Sequence, residues 1–225
     1  MKNLKFIILF IGFTTFLNAQ DRTQDLEEFN ALKIFNGLNV EIKKSKQAKI
    51  EISGDKAKDV NIKYVKGTLK LSIKIHDKFK PKELKIIVYY NHDILILDAN
   101  EGSSIVSDVI IKQENLTLKT QEGAYINLSV NVKDLTIKAV SGGSIDIKGT
   151  AENQKVEVTS GGVYEAYDLI TKNSDVVSAS GGKAEIKATN NLDAKVRFGG
   201  NIHYKGAPKK VTTKKVMGGI IKNKG

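Results

Sequence analysis

The 225-residue sequence predicts an all-β protein, a single-stranded right-handed parallel β-helix with about 19–20 residues per coil. Three observations predict it. Gly102, Gly123, Gly142, Gly161, Gly181, Gly199 and Gly218 recur at intervals of 21, 19, 19, 20, 18 and 19 residues, and a period near 20 marks stacked repeats. The residue three beyond each glycine is Ile105, Ile126, Ile145, Tyr164, Ala184, Ile202 or Ile221, so five of the seven units carry isoleucine at one offset. Alternating strand patterns fill the intervals, as in Lys155-Val156-Glu157-Val158 and Lys195-Val196-Arg197-Phe198.

One coil reads as strand, glycine turn, strand, polar turn. The glycines suit a corner because positive φ costs them little. Asn-rich stretches such as Thr150-Ala151-Glu152-Asn153-Gln154 and Thr189-Asn190-Asn191 supply the second turn. Successive coils repeat one direction, so neighbouring strands run parallel. A left-handed helix built on hexapeptides also gives about 18 residues per coil; no six-residue sub-repeat is visible, which favours the right-handed form, and the pattern alone leaves the hand open. An antiparallel sandwich also has short strands and glycine turns, but it does not require one residue type at one offset in successive units.

Before the repeats the pattern is less regular. Residues 1–19 read as a Sec signal peptide: Lys2 and Lys5, an apolar run from Phe6 to Phe16, and Ala19 before the cut. The run is short for a membrane span, which needs about 20 residues. Residues 20–28 are polar and read as a loose mature N-terminus. The β-helix domain then spans 29–225, with less regular strands over 29–95 and regular repeats over 96–225. Val40 and Ile42, Ile50 and Ile52, and Leu69, Leu71 and Ile73 alternate with polar residues. Leu84 to Tyr90 is more continuously apolar and reads as buried on both faces. Pro81 and Pro208 fall in loops.

Net charge is +11, or 11 − 2 = +9 once Lys2 and Lys5 leave with the leader. The cations are nearly all lysine, with Arg22 and Arg197 the only arginines. Lysine gives solubility, edge protection and diffuse attraction to anionic polymers, whereas planar bidentate grip favours arginine. Export and scarce arginine exclude nucleic acid as a partner. There is no cysteine, hence no disulfide and no lipid anchor.

The series Ser141-Gly142-Gly143, Ser160-Gly161-Gly162 and Ser180-Gly181-Gly182 precedes a late motif of Ile202, Tyr204, Gly206 and Pro208. Val216-Met217-Gly218-Gly219 closes it, and Phe35-Asn36-Gly37-Leu38-Asn39-Val40 opens the strands. In these motifs, over about Phe29 to Gly225, the chain resembles the putative auto-transporter adhesin, head GIN domain family, exported bacterial proteins common in Bacteroidetes. The resemblance implies a right-handed β-helix and an adhesive role, and brings no catalytic residues. An auto-transporter needs a C-terminal barrel of many amphipathic strands; none precedes Gly225, so self-export across an outer membrane is not expected.

Catalytic patterns are missing. No Gly-x-Ser-x-Gly elbow, P-loop, dinucleotide fingerprint or RTX calcium repeat occurs. His76, His92 and His203 lack metal spacing. No cofactor is implied. Asp146, Glu165 and Glu185 share one outward offset and would stack as an acidic ladder, either a weak Ca²⁺ site or, with Lys148 and Lys187 two positions on, a compensated surface. Of the tyrosines, Tyr125 and Tyr167 are the candidates for exposed, ligand-contacting rings, and the others read as core or strand-end residues. The expected protein binds rather than turns over. Its expected partner is an anionic surface polysaccharide or an envelope protein, and its expected place is the periplasm, outer-membrane surface or exterior. Strand edges at the helix ends also make a homo-oligomer plausible. An envelope-stress or surface-sensing accessory and a polysaccharide lyase or hydrolase are the alternative readings.

Overall fold

The structure is a computed structural model that describes residues 21–74 and 84–225. The leader reading, Gln20, His76 and Pro81 lie outside the described residues. The strands are β1 (Arg22–Asp25), β2 (Ala31–Ile34), β3 (Asn39–Lys44), β4 (Lys49–Ser53), β5 (Val60–Val65), β6 (Thr68–Ile73), β7 (Lys85–Tyr90) and β8 (Ile96–Ala99). They continue with β9 (Ser104–Thr120), β10 (Tyr125–Ala139), β11 (Ser144–Val158), β12 (Val163–Ala179), β13 (Lys183–Arg197), β14 (Asn201–Lys205), β15 (Lys210–Val216) and β16 (Ile220–Asn223). Among the described residues a 3-10 turn at Ala57–Asp59 is the other regular element.

The strands form a parallel β-solenoid of about seven turns. Each of β9 to β13 is one whole winding: a long bent strand that pairs in parallel with the windings before and after it. The register reproduces the glycine period, with Ser104 opposite Tyr125, Tyr125 opposite Ser144, Ser144 opposite Val163 and Val163 opposite Lys183. One column therefore runs Ile105, Ile126, Ile145, Tyr164, Ala184, Ile202, Ile221. Its first six members are 0% exposed. Burying a side chain of this size is worth about 1.5–3 kcal/mol, so this column and its neighbours carry the fold.

The polar stretch at 150–154 is a bend inside β11 rather than a turn between strands. The inward face changes phase there: Ile145, Ile147 and Ala151 point in on one side, Gln154, Val156 and Val158 on the other. Gln154 therefore enters the core. Its Nε2 donates to Ser174 Oγ at 2.9 Å and Thr171 Oγ1 at 3.1 Å. Its Oε1 accepts from the Tyr164 hydroxyl at 2.9 Å. Thr171 Oγ1 donates to the Lys187 carbonyl at 2.7 Å. Every member has a partner, and burial pushes the Tyr164 phenol well above its ordinary value.

The opposite corner is a tight turn. In Val140-Ser141-Gly142-Gly143 the two central residues have φ of 50° and 74°, and Gly143 N donates to Val140 O at 2.9 Å. Two positive φ values define a type I′ turn. Corners also bond to one another, as Gly142 N to Ser160 O at 3.1 Å. The paired glycines have different reasons. A Cβ on Gly142 would meet nothing within 4 Å, so its requirement is φ alone. A Cβ on Gly162, the second of the next pair, would lie 2.3 Å from the Ala139 carbonyl oxygen one coil below.

The N-terminal part departs from expectation. Residues 22–25, read as loose, form β1, which pairs antiparallel with β4. β4 pairs antiparallel with β7, and β5 with β6. β7 lies between β3 and β4, which explains the consecutive burial of Ile86, Ile87 and Val88. β2 and β3 flank Asn36-Gly37, both at positive φ, and form a corner like the later ones. The segment from β4 to β7 interrupts the period after this first corner.

Gly142→Ala should cost about 1–2 kcal/mol, the strain of a left-handed Cβ, or roughly 2–8 °C in thermal midpoint. Gly162→Ala should cost more, because backbone must move; equal midpoints in a thermal melt would refute the distinction. Tyr164→Phe strips Gln154 Oε1 of its partner and should cost about 1–3 kcal/mol by denaturant titration. Among the described residues the buried Thr120 hydroxyl meets no hydrogen-bond partner, so Thr120→Val should raise stability by about 1 kcal/mol in the same titration.

Candidate functional site

Just past the bend, each winding places one residue outward at the same height. These are Asp134, Asn153, Asn173 and Asn191, directly in register. Stacked amides are self-complementary, since each has both donor and acceptor. Asn153 Nδ2 donates to Asp134 Oδ1 at 2.8 Å, Asn173 Nδ2 to Asn153 Oδ1 at 2.8 Å, and Asn191 Nδ2 to Asn173 Oδ1 at 2.7 Å. Each amide keeps a second N–H that the ladder does not use.

Two positions along, Thr136, Lys155, Asp175 and Asp193 form a second outward row. The rows bound a shallow groove of ≈ 380 Å³ that crosses four coils. Gln154 and Ser174 lie in its floor and belong to the buried network, so the floor is held from behind. The groove's side chains carry amide, hydroxyl, carboxylate and one ammonium group, with Leu135 among them, and the larger part of the surface exposed in the groove is apolar. The polar groups offer a repeated set of hydrogen-bond partners at the strand spacing of about 4.8 Å.

Asp146, Glu165 and Glu185 do stack in register on the other limb of the coil. Among the described residues, no group of three or more His, Cys, Asp or Glu is placed to hold a metal ion. Compensation comes from partners other than Lys148 and Lys187. Asn127 Nδ2 donates to Asp146 Oδ2 at 3.1 Å, Lys183 Nζ lies 2.8 Å from Glu185 Oε1, and His203 Nδ1 lies 3.8 Å from the same oxygen. The in-strand Lys183 reaches the carboxylate.

Tyr125 is exposed, and its hydroxyl accepts from Asn127 Nδ2 at 2.8 Å. The structure thus joins Tyr125, Asn127 and Asp146 into one surface chain. Tyr167 is half-buried instead, with Lys205 Nζ 4.5 Å from its ring centre. The extra residues of β12 between Ala166 and Ile170 displace it from a regular outward slot. The candidate glycines Gly102, Gly123, Gly142, Gly161, Gly181, Gly199 and Gly218 all have positive φ, and all are corner residues. The groove itself escaped the reading of the sequence, although Asn153, Asn173 and Asn191 recur at the coil period and signal it.

The model of the family "Putative auto-transporter adhesin, head GIN domain" matches residues 28–208. Three solved structures share the fold. A putative adhesin from Bacteroides fragilis has a TM-score of 0.83 at 22% identity, covering 90% of this chain and 95% of that one. A putative adhesin from Parabacteroides merdae has a TM-score of 0.70 at 20% identity, covering 92% and 96%. A putative lipid binding protein from Parabacteroides distasonis has a TM-score of 0.69 at 20% identity, covering 92% and 96%. No curated protein matches the chain. Among the described residues no helix is long and apolar enough to cross a membrane. With the family model spanning most of its length, the chain belongs to the putative auto-transporter adhesin, head GIN domain family.

Proposed function

We propose that this is a Sec-exported, non-catalytic binding scaffold of the cell envelope or exterior, and that it holds a surface polysaccharide along the asparagine-lined groove. The observation that carries the reading is the ladder Asp134–Asn153–Asn173–Asn191 with its second polar row. A periodic ligand needs periodic partners, and parallel stacking supplies one set per coil. The leader pattern of residues 1–19 supports export, and the family supports adhesion. Net charge, +11 for the full chain and 11 − 2 = +9 without Lys2 and Lys5, is carried by lysine and favours an anionic polymer through long-range attraction. Three groove carboxylates, Asp134, Asp175 and Asp193, direct hydroxyl-rich stretches of that polymer into the groove itself.

Affinity electrophoresis through gels containing neutral or uronate polysaccharides tests this. The full chain should be retarded, and Asn173→Leu, which breaks two ladder bonds, should weaken retention by about tenfold, or 1.4 kcal/mol. Retention unchanged by Asn173→Leu would remove the groove from the binding site. Capture of an envelope protein with no glycan retention would favour the accessory reading. Growth of unsaturated-uronate absorbance would make the protein a lyase.

A further inference from the structure

We infer that the C-terminal end of the solenoid is a second site, one that docks on an anionic lipid surface. From Ala194 to Gly225 the chain holds Lys195, Arg197, Lys205, Lys209, Lys210, Lys214, Lys215, Lys222 and Lys224, and no acidic residue. Among the described residues none of these nine makes an ion pair. Most of the chain's net charge of +11 is therefore concentrated in its last coils.

The corner changes character in the same region. The first residue of each corner turn is Asn36, Glu101, Glu122, Ser141, Ser160 and Ser180, all polar. The last two are Phe198 and Met217, at φ of 47° and 57°. Bulky side chains rarely adopt this backbone conformation. Neither is repaid by packing, since Phe198 is 55% exposed and Met217 73%. Ile220, 49% exposed, follows on the next strand. The three sit on adjacent coils, with Phe198 N bonded to Val216 O at 3.1 Å and Ile220 N to Gly200 O at 3.0 Å. Exposed Arg197, Lys214, Lys215 and Lys222 flank them.

The surroundings identify the occupant. A second copy is opposed by like charge and by the edge strand itself. Lys215 is in register with the buried Val196, so it occupies a core-side slot, and an added strand would bury its ammonium. A polysaccharide would use the lysines but has no need of a projecting phenylalanine and methionine. An anionic bilayer uses both, with cations at the headgroups and apolar side chains in the acyl boundary.

Co-sedimentation of the full chain with vesicles of equal parts phosphatidylglycerol and phosphatidylcholine is the test. Binding should exceed that to pure phosphatidylcholine and should weaken with added salt. Phe198→Ser with Met217→Ser should lower vesicle affinity at least about tenfold. Serine already occupies this conformation at Ser141, Ser160 and Ser180, so the variant should fold, which circular dichroism checks. The apolar run at residues 6–16 is common to both chains and cancels. Vesicle affinity unchanged in the double variant would overturn the inference, as would equal binding to uncharged vesicles or dimerisation through β15 in sedimentation. Asn173→Leu should leave vesicle binding intact, which separates this site from the groove.

Discussion

Backbone-to-backbone contact at the corner is the constraint from which the rest follows. Successive corner turns bond to each other, and from Gly143 onward the residue after each corner glycine is itself a glycine so near the backbone below that no side chain fits, whereas the small Ser103 and Ala124 take that place in the earlier coils. That approach holds the coils in parallel register, each residue above one roughly 19 positions earlier. Register then decides which residue types are tolerated. Aliphatic columns bury one another. Amide columns bond along their length, as Asn153 and Asn173 do. Carboxylate columns repel, and the Asp146–Glu165–Glu185 stack persists with Asn127, Lys183 and His203 against it.

A stack of this kind has two ends, each a row of unpaired strand groups. The N-terminal end is closed by other strands of the same chain. On one limb β7 pairs in parallel with β3, and β4 and then β1 add antiparallel beyond it; on the other the hairpin of β5 and β6 covers β2. The hairpin turn at Lys66-Gly67 has two positive φ values, the same geometry used at the coil corners. At the other end, β15 carries lysine at Lys210, Lys214 and Lys215. One end is protected by pairing and the other by charge, so the two are chemically unlike surfaces.

The windings from β9 onward were legible because their signals are periodic. Gly142 and Gly161 report the corner, and Ile126 and Ile145 report the core, at one spacing. The first corner at Asn36-Gly37 was visible as a motif but not as a repeat, because six strands, β3 to β8, lie between it and Gly102. The pairing of β1 with β4 depends on residues about 25 to 30 positions away, and its polar sequence carries no trace of that. Gln154 looked like a turn residue since its stretch is polar; only the phase change at the bend turns it inward. The asparagine ladder was legible in principle, with Asn153, Asn173 and Asn191 at the coil period. Its hydrogen bonds depend on the register of three coils at once.

Translation along a solenoid repeats chemistry, and this bears on what such a protein can do. Stacked coils bring groups together along a line, like ones in the row Asn153, Asn173 and Asn191 and unlike ones in the row Thr136, Lys155, Asp175 and Asp193. Positions that break the repetition are then the informative ones. Tyr164 replaces isoleucine in the core column, and its hydroxyl reaches Gln154 to stiffen the floor beneath the groove. Phe198 and Met217 replace serine and glutamate at the corner, where no packing calls for them. The first change supports a periodic surface from within. The second ends the periodic surface at the solenoid's exposed tip, where a different contact becomes available.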